Sequence, residues 1–263
     1  MCGIVAYTGG RSALAVLLEG LRRLERPDYD SAGVALLVDG GLAAAKKAGT
    51  FGDVREELRV RPLPAATTGV GHIRRATLGP PTDVNAHPHM DDSGRVAVVQ
   101  NGDIAGHEQL RAELAARGHE LVSETDTEAV AHLLAEYYSS SGDPAEAMRQ
   151  VCRQLTGTFA LVAVHADEPE VITGGCRGLP LTVGIGDGET FLASHAAAFA
   201  PHTGEAVDVG DGRVVTVRPD GAWITDLDGV PVDPLPYDVR TAAAGEPDVR
   251  GQLDEDETVG GTR

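Results

Sequence analysis

The sequence predicts an α+β fold of two antiparallel sheets with helices packed on their outer faces. Three observations predict it. Short β-branched runs dominate both ends of the 263-residue chain, and paired helical patterns interrupt the middle, an order that does not repeat as βαβ. No GxGxxG or GxxxxGK(S/T) follows a strand, so no nucleotide-binding crossover is expected. Aromatic residues make up only 4% of the chain, so the layers must be filled mainly by Val, Leu and Ala.

Taken in order, "GIVAY" (3–7) reads as the first strand and "RSALAVLLEGLRRLE" (11–25) as the first helix, capped by Ser12 with Leu14, Leu17, Leu18, Leu21 and Leu24 on one face. Strands follow at "GVALLV", "TGVGHI" and "RVAVVQ". The second helix, "HEQLRAELAARG", stops at Gly118. The third, "TDTEAVAHLLAEYY", opens on a Thr125 to Glu128 capping box and buries Val130, Leu133, Leu134, Tyr137 and Tyr138. The fourth, "DPAEAMRQVCRQL", carries an Asp cap and Pro144 at its first position, with Met148, Val151, Cys152 and Leu155 as its stripe. Strands at "TFALVAVH", "LTVGIG", "TFLAS", "RVVTV" and "AWITD" complete the fold, with Trp223 in the last expected to pack. The ordered domain is expected over residues 1–240. Residues 241–263 hold six acids, two arginines and no aromatic residue, the composition of a disordered acidic tail.

The formal net charge of −18 argues against a nucleic-acid partner and against an anionic membrane surface. No apolar run reaches membrane-spanning length and no signal-peptide pattern opens the chain, so a cytoplasmic location is expected. Three cysteines, with no CxxC pair, form neither a disulfide framework nor a zinc knuckle. Cys152 and Cys176 read as structural.

Cys2 is different. Methionine is efficiently trimmed only before a small residue, and trimming would place the thiol beside its own α-amine. That amine, with an ordinary pKa of about 7.7–8.0, can serve as general base without a histidine. Four stretches accompany it. "HIRRATLG" (72–79) offers Arg74, able to fork onto a carboxylate; "NAHPH" (85–89) is a tight polar loop. "VVQNGD" (98–103) ends an apolar run with Asn101-Gly102, a plain turn or an oxyanion hole. "SETDTE" (123–128) puts Asp126 at a helix start, as a cap or as a partner for an ammonium. His87, His89, Asp91 and Asp92 contain an HxH with nearby carboxylates, but no third ligand helix is evident, and no metal is expected there.

In this order, with "LLEGLRRLE", "YDSAG" (29–33) and the late "PYD" (236–238), these stretches resemble the class II, N-terminal nucleophile, glutamine amidotransferases, in particular their glutaminase domain joined elsewhere to a sugar-phosphate isomerase half. The resemblance runs from Cys2 to about Asp238. It implies a four-layer αββα sandwich of the N-terminal nucleophile hydrolase type. It implies Cys2 as the nucleophile forming a γ-glutamyl thioester, and Asn101 and Gly102 as oxyanion donors. Arg74 with Thr77 would hold the α-carboxylate of glutamine, and Asp126 its α-ammonium. No cofactor is implied. The ammonia would go to a separate synthase, since the isomerase half is not in this chain.

Two stretches depart from the family pattern. "RPDYDSAG" stands where the family reads YRGYDSAG, placing Pro27 and Asp28 near the nucleophile; both are expected to weaken it. "RRATLG" stands where the family reads RWATHG, so Arg75 and Leu78 replace the tryptophan and histidine of that loop. Two other readings are therefore open. One is a degenerate, non-catalytic regulatory or scaffolding subunit; the other is a hydrolase for a different amide, which leaves Arg74 and Asp126 without a purpose.

Overall fold

The computed structural model describes residues 2–239; Met1 and the acidic tail at 241–263 lie outside the described residues. The first half of the chain forms β1 (Gly3–Thr8), α1 (Ala13–Leu24), β2 (Ser31–Val38), β3 (Gly41–Ala48), α2 (Phe51–Val60), β4 (Thr68–Arg74), β5 (His89–Met90) and β6 (Val96–Ala105). Three helices follow: α3 (His107–Ala116), α4 (Asp126–Ser141) and α5 (Pro144–Gln154). The remainder is β7 (Thr156–His165), β8 (Ile172–Arg177), β9 (Thr182–Ile185), β10 (Thr190–Ala193), β11 (Glu205–Asp208), β12 (Arg213–Arg218), β13 (Gly221–Asp226) and β14 (Tyr237–Asp238).

These strands make an eight-stranded sheet in the order β14-β11-β9-β10-β1-β4-β2-β3 and a six-stranded sheet in the order β13-β12-β8-β7-β6-β5. The ladders between them are antiparallel. Side chains alternate across a strand, so each sheet has two apolar faces to cover. The inner faces meet through Ile4, Ala6, Val70, Val99, Val162, Val164 and Val215. On the outer face of the larger sheet, α1 and α2 bring Leu17, Leu21, Val54 and Leu58 against Val5, Val34 and Leu36. On the outer face of the smaller sheet, α4 and α5 bring Val130, Leu134, Met148 and Val151 against Val96, Val98 and Leu161. The result is the expected αββα sandwich.

Each fully buried Leu or Val contributes roughly 1.5–3 kcal/mol, so these faces, rather than helix propensity, hold the helices. The caps fix where the helices begin. Ser12 accepts from Ala15 N at 3.4 Å, and Asp143 accepts from Ala145 N at 2.8 Å.

Several expectations need correction. A fifth helix, α2, was not foreseen, although Phe51, Val54 and Leu58 lie on one face and Thr50 and Asp53 form a capping box. The Ala-rich β3 has low strand propensity and exists because it pairs with β2 along its whole length. Thr125 makes no side-chain cap; Glu128 instead accepts from Val122 N and Ser123 N, both at 2.8 Å, and pins the loop before α4. Trp223 lies on the edge strand β13 and is 51% exposed, so it does not pack. Cys152 and Cys176 are buried, the latter donating to Gly210 O.

Antiparallel pairing of Gly3 with Ile73 sets Cys2 beside Arg74, where β1 begins and β4 ends. Across the sandwich, β6 carries Asn101 and Gly102. This edge, where the two sheets open, is where the residues singled out in the sequence meet.

Candidate active site

One cleft, open to solvent, is lined by Cys2, Arg74, Thr77, Gly102 and Asp126, together with Arg75, Leu78, His87, Gln100 and Thr127. Asn101 stands directly behind Cys2. The structure thus brings Cys2, Arg74, Thr77, Asn101, Gly102 and Asp126 together from four separate stretches.

Cys2 is half-buried. Its Sγ accepts from the backbone N–H of Arg75 at 3.2 Å, and the thiol lies 3.6 Å from Arg75 O. Burial pushes the thiol above its ordinary value, against the Arg75 N–H bond and the nearby Arg74 charge, which favour the thiolate. The resting thiol is therefore protonated at neutral pH, and a nucleophilic attack needs a base at hand.

Asn101 does not end its strand. β6 runs on to Ala105, with Asn101 opposite Ala160 and Gly102 opposite Phe159, so the Asn-Gly pair is not a plain turn. His72 Nε2 lies 3.0 Å from Asn101 Oδ1, which orients the amide so that Nδ2 donates to Cys2 O at 3.1 Å. Burial lowers the His72 pKa to about 4, so its ring is neutral and Nε2 carries the proton for that bond. Gly102 has φ +83°, and a Cβ there would stand 2.0 Å from Thr158 O. Only glycine fits this position.

Arg74 is 4% exposed. Its Nη2 donates to Leu78 O and to Gly79 O, while Nη1 is buried without a hydrogen-bond partner among the described residues. A buried guanidinium nitrogen left unpaired is costly, and it marks a place for an anionic ligand. Thr77 Oγ1 donates to Asp103 Oδ1 at 2.6 Å, closing one rim.

Asp126 is also 4% exposed. Its Oδ2 accepts from Gln100 Nε2 and from Ile104 N, both at 2.7 Å. Burial raises its pKa, opposed by those two bonds. The carboxylate sits in the first turn of α4, where the helix dipole favours negative charge.

Residues that sequence reasoning missed hold these groups in place. Asp30 Oδ2 accepts from Ala76 N at 2.7 Å and so shapes the loop after Arg74. Gln100 couples β6 to Asp126. Behind them, His72 stacks on His87 at 4.4 Å, and His87 meets His89 edge-on at 5.0 Å. Burial holds both His87 and His89 well below the ordinary histidine value, and their Nε2 atoms face Thr127 Oγ1 and Thr125 Oγ1. This pair is a neutral backing for the α4 N-terminus. Lys46 on β3 secures their loop: its ammonium donates to Val84 O, Ala86 O and Pro88 O at 3.0, 2.8 and 3.1 Å. Burial lowers the Lys46 pKa to about 8. Gly33 lets that loop lie flat on β2, since a Cβ would stand 2.2 Å from His87 O. Asp30 and Gly33 lie in the quoted "YDSAG", His87 and His89 in "NAHPH", His72 in "HIRRATLG" and Gln100 in "VVQNGD"; Lys46 lies in none of them, and its role depends on which segments become neighbours.

The two departures from the family pattern meet each other. Pro27 occupies the first central position of a turn in which Tyr29 N donates to Arg26 O at 3.3 Å, a place suited to its fixed φ. That turn presents Asp28 to Arg75, with Nη1 and Oδ2 3.4 Å apart and both side chains largely exposed. The negative charge expected near the nucleophile thus has its own counter-ion in Arg75.

Comparison with known proteins agrees with this arrangement. A family model described as a glutamine amidotransferase domain matches residues 74–201. The chain is 61% identical over 239 residues to glutamine–fructose-6-phosphate aminotransferase (isomerizing) of Streptomyces coelicolor, and 48% identical over 240 residues to its counterpart in Leifsonia xyli. Each match covers 91% of this chain and 39% of the relative, so the chain spans about two-fifths of the length of these relatives. Among solved structures, the glutamine phosphoribosylpyrophosphate amidotransferase of B. subtilis shares the fold, with a TM-score of 0.72 at 22% identity over 86% of this chain and 49% of that one. A glutamine aminotransferase class-II domain protein from Silicibacter pomeroyi does so at a TM-score of 0.59 and 16% identity, covering 86% of this chain and 99% of that one. The chain belongs to the class II glutamine amidotransferases.

Proposed function

We propose that the protein hydrolyses glutamine to glutamate and ammonia through Cys2, and that the ammonia serves a synthase on another polypeptide. The observation that carries this reading is the pairing of two buried, opposite charges across one cleft: Arg74 with an unpartnered Nη1, and Asp126 on the α4 N-terminus. An amino acid with free α-carboxylate and α-ammonium satisfies both. A simple amide leaves both uncompensated, and this selects glutamine.

With Met1 removed, the α-amine of Cys2 takes the thiol proton as Sγ attacks the side-chain carbonyl carbon of glutamine. The developing oxyanion accepts from Asn101 Nδ2 and from the Gly102 N–H. Asn101 Nδ2 leaves Cys2 O for this purpose, and His72 keeps the amide aimed. The C–N bond then breaks; the leaving nitrogen collects the proton held on the amine and departs as ammonia. Water, deprotonated by the same amine, attacks the γ-glutamyl thioester, the C–S bond breaks, and glutamate leaves with the thiol restored.

Intact mass of the purified full chain, before and after 6-diazo-5-oxo-norleucine, tests the proposal. Loss of Met1 and one adduct mapped to Cys2 are expected. A retained methionine, or a free Cys2 that stays unlabelled with or without a candidate synthase, would leave the non-catalytic subunit as the better reading.

A further inference from the structure

Outside the cleft, on the flank of α4 away from Asp126, three electron-pair donors converge. Asp92 comes from the turn between β5 and β6, His119 from the segment between α3 and α4, and His132 from α4 itself. Asp92 Oδ2 lies 2.7 Å from His119 Nδ1 and 3.5 Å from His132 Nδ1, and all three atoms fall within 4.8 Å of one another. A tetrahedral zinc ion with ligands at about 2.0–2.1 Å sets neighbouring donors roughly 3.3 Å apart, a value these two spacings bracket.

The hydrogen bonding around His119 supplies the second argument. Its Nε2 lies 3.0 Å from Glu136 Oε1, so the ring donates there. On its other side Nδ1 faces Asp92 Oδ2 at 2.7 Å, a contact that a proton or a cation can occupy. The carboxylate–histidine arrangement, with Glu136 behind the ring, is also the one that orients imidazole ligands at metal sites. Arg117 Nε, 3.2 Å from Glu136 Oε1, holds that carboxylate in turn. His132 is 1% exposed, and neither of its ring nitrogens has a hydrogen-bond partner among the described residues. Asp92 is exposed, which gives an ion a way in and leaves a side open for water.

We propose that Asp92, His119 and His132 form a site for one divalent transition-metal ion of the zinc type, with Glu136 orienting His119. The donor set of two imidazoles and one carboxylate suits zinc or cobalt rather than magnesium or calcium. The ion would tie the β5–β6 turn, the α3–α4 connection and the middle of α4 together, bracing the helix whose first turn carries Asp126.

The test uses the full chain with Cys2→Ser, so that the N-terminal thiol does not compete. Titration with Co2+ should give a saturable visible absorption at one equivalent per chain, displaced by Zn2+. Zn2+ should raise the Tm of this same protein, and EDTA should reverse the rise. Asp92→Asn and His119→Gln should each lose at least tenfold in affinity, and Glu136→Gln roughly 10- to 100-fold. Absence of saturable Co2+ absorption together with a Tm indifferent to Zn2+ would overturn the proposal. So would binding that survives in Asp92→Asn and His119→Gln unchanged. Either result would leave His119 as an imidazolium held between two carboxylates.

Discussion

Replacing Asp126 by Asn tests the proposed recognition of glutamine with little disturbance of the fold. The amide oxygen of the new side chain can keep the bonds from Gln100 Nε2 and Ile104 N, both 2.7 Å long in the parent. The other carboxylate oxygen becomes an NH2 donor facing the substrate ammonium. A hydrogen bond to a charged group is worth about 1.5–3 kcal/mol. The larger penalty for breaking a fully buried ion pair, about 3–5 kcal/mol, is the upper bound, since Asp126 is buried but the cleft it faces opens to solvent. At 1.36 kcal/mol per power of ten, kcat/KM for glutamine should fall roughly 10- to 150-fold. The control substrate is 4-carbamoylbutanoate, which has the same side-chain amide and carboxylate without the α-ammonium. The parent should prefer glutamine strongly, and the variant should lose that preference while hydrolysing the analogue about as well as the parent. Glutamate and ammonia release at matched substrate concentrations reads both. A variant within threefold of the parent on glutamine, or one that keeps the parent's preference, would refute the role given to Asp126.

The same carboxyl bears on stability. Its folded pKa is raised by burial, so the folded state gains relative stability below about pH 4 and loses it as pH rises through the folded value. Asp126→Asn should remove that loss, and its Tm relative to the parent should increase from pH 4 upward. The buried histidines act with the opposite sign. His72, lowered from an ordinary 6.5 to about 4, resists a proton that the unfolded chain accepts. Its stabilising effect is complete above pH 6.5 and is lost between pH 6.5 and 4, amounting to about 3 kcal/mol; denaturant titrations across that window should show the decline, and His72→Gln should flatten it. Gly102→Ala should abolish glutamine hydrolysis, because its Cβ would meet Thr158 O and displace the N–H required at the oxyanion. Asp28→Asn should change kcat/KM by less than about fivefold, since exposed ion pairs contribute about 1 kcal/mol or less; a loss beyond tenfold would mean that the Asp28–Arg75 pair acts directly at Cys2.

The layers were legible because their signals are local. Alternating Val and Leu runs gave the inner strands, and Ser12, Asp143 and Pro144 gave helix starts that the structure keeps. The strand β3 was not legible, since Ala and Lys carry no strand preference and only β2 holds them there. The helix α2 had a readable cap in Thr50 and Asp53, but only three apolar residues to announce its face. At the site, Cys2, Arg74, Asn101, Gly102 and Asp126 stood out as residue types fit for the chemistry, but a turn and a cap would account locally for Asn101-Gly102 and Asp126, and their separate roles came from the family resemblance. Gln100 and His72 did not stand out, because each acts across a contact between elements distant in sequence. The salt bridge of Asp28 with Arg75 shows the same limit from the other side. Two substitutions that look damaging one at a time are neighbours in space.

The grip of Lys46 on the 84–88 loop also has a bearing on amine chemistry. The chain has two lysines in 263 residues, Lys46 and Lys47, against twenty arginines. One of the two spends all three of its protons on carbonyls, and the other lies on the surface beside Asp83. An amine-directed reagent therefore meets few targets: an exposed lysine at a sheet edge, a shielded one, and the amine of Cys2 once Met1 is gone. Because a chain that keeps Met1 offers the methionine amine instead, the residue that carries the N-terminal tag, rather than the number of tags, would report on maturation. A tag mapped to Cys2 would sit on the group proposed to move the protons of catalysis.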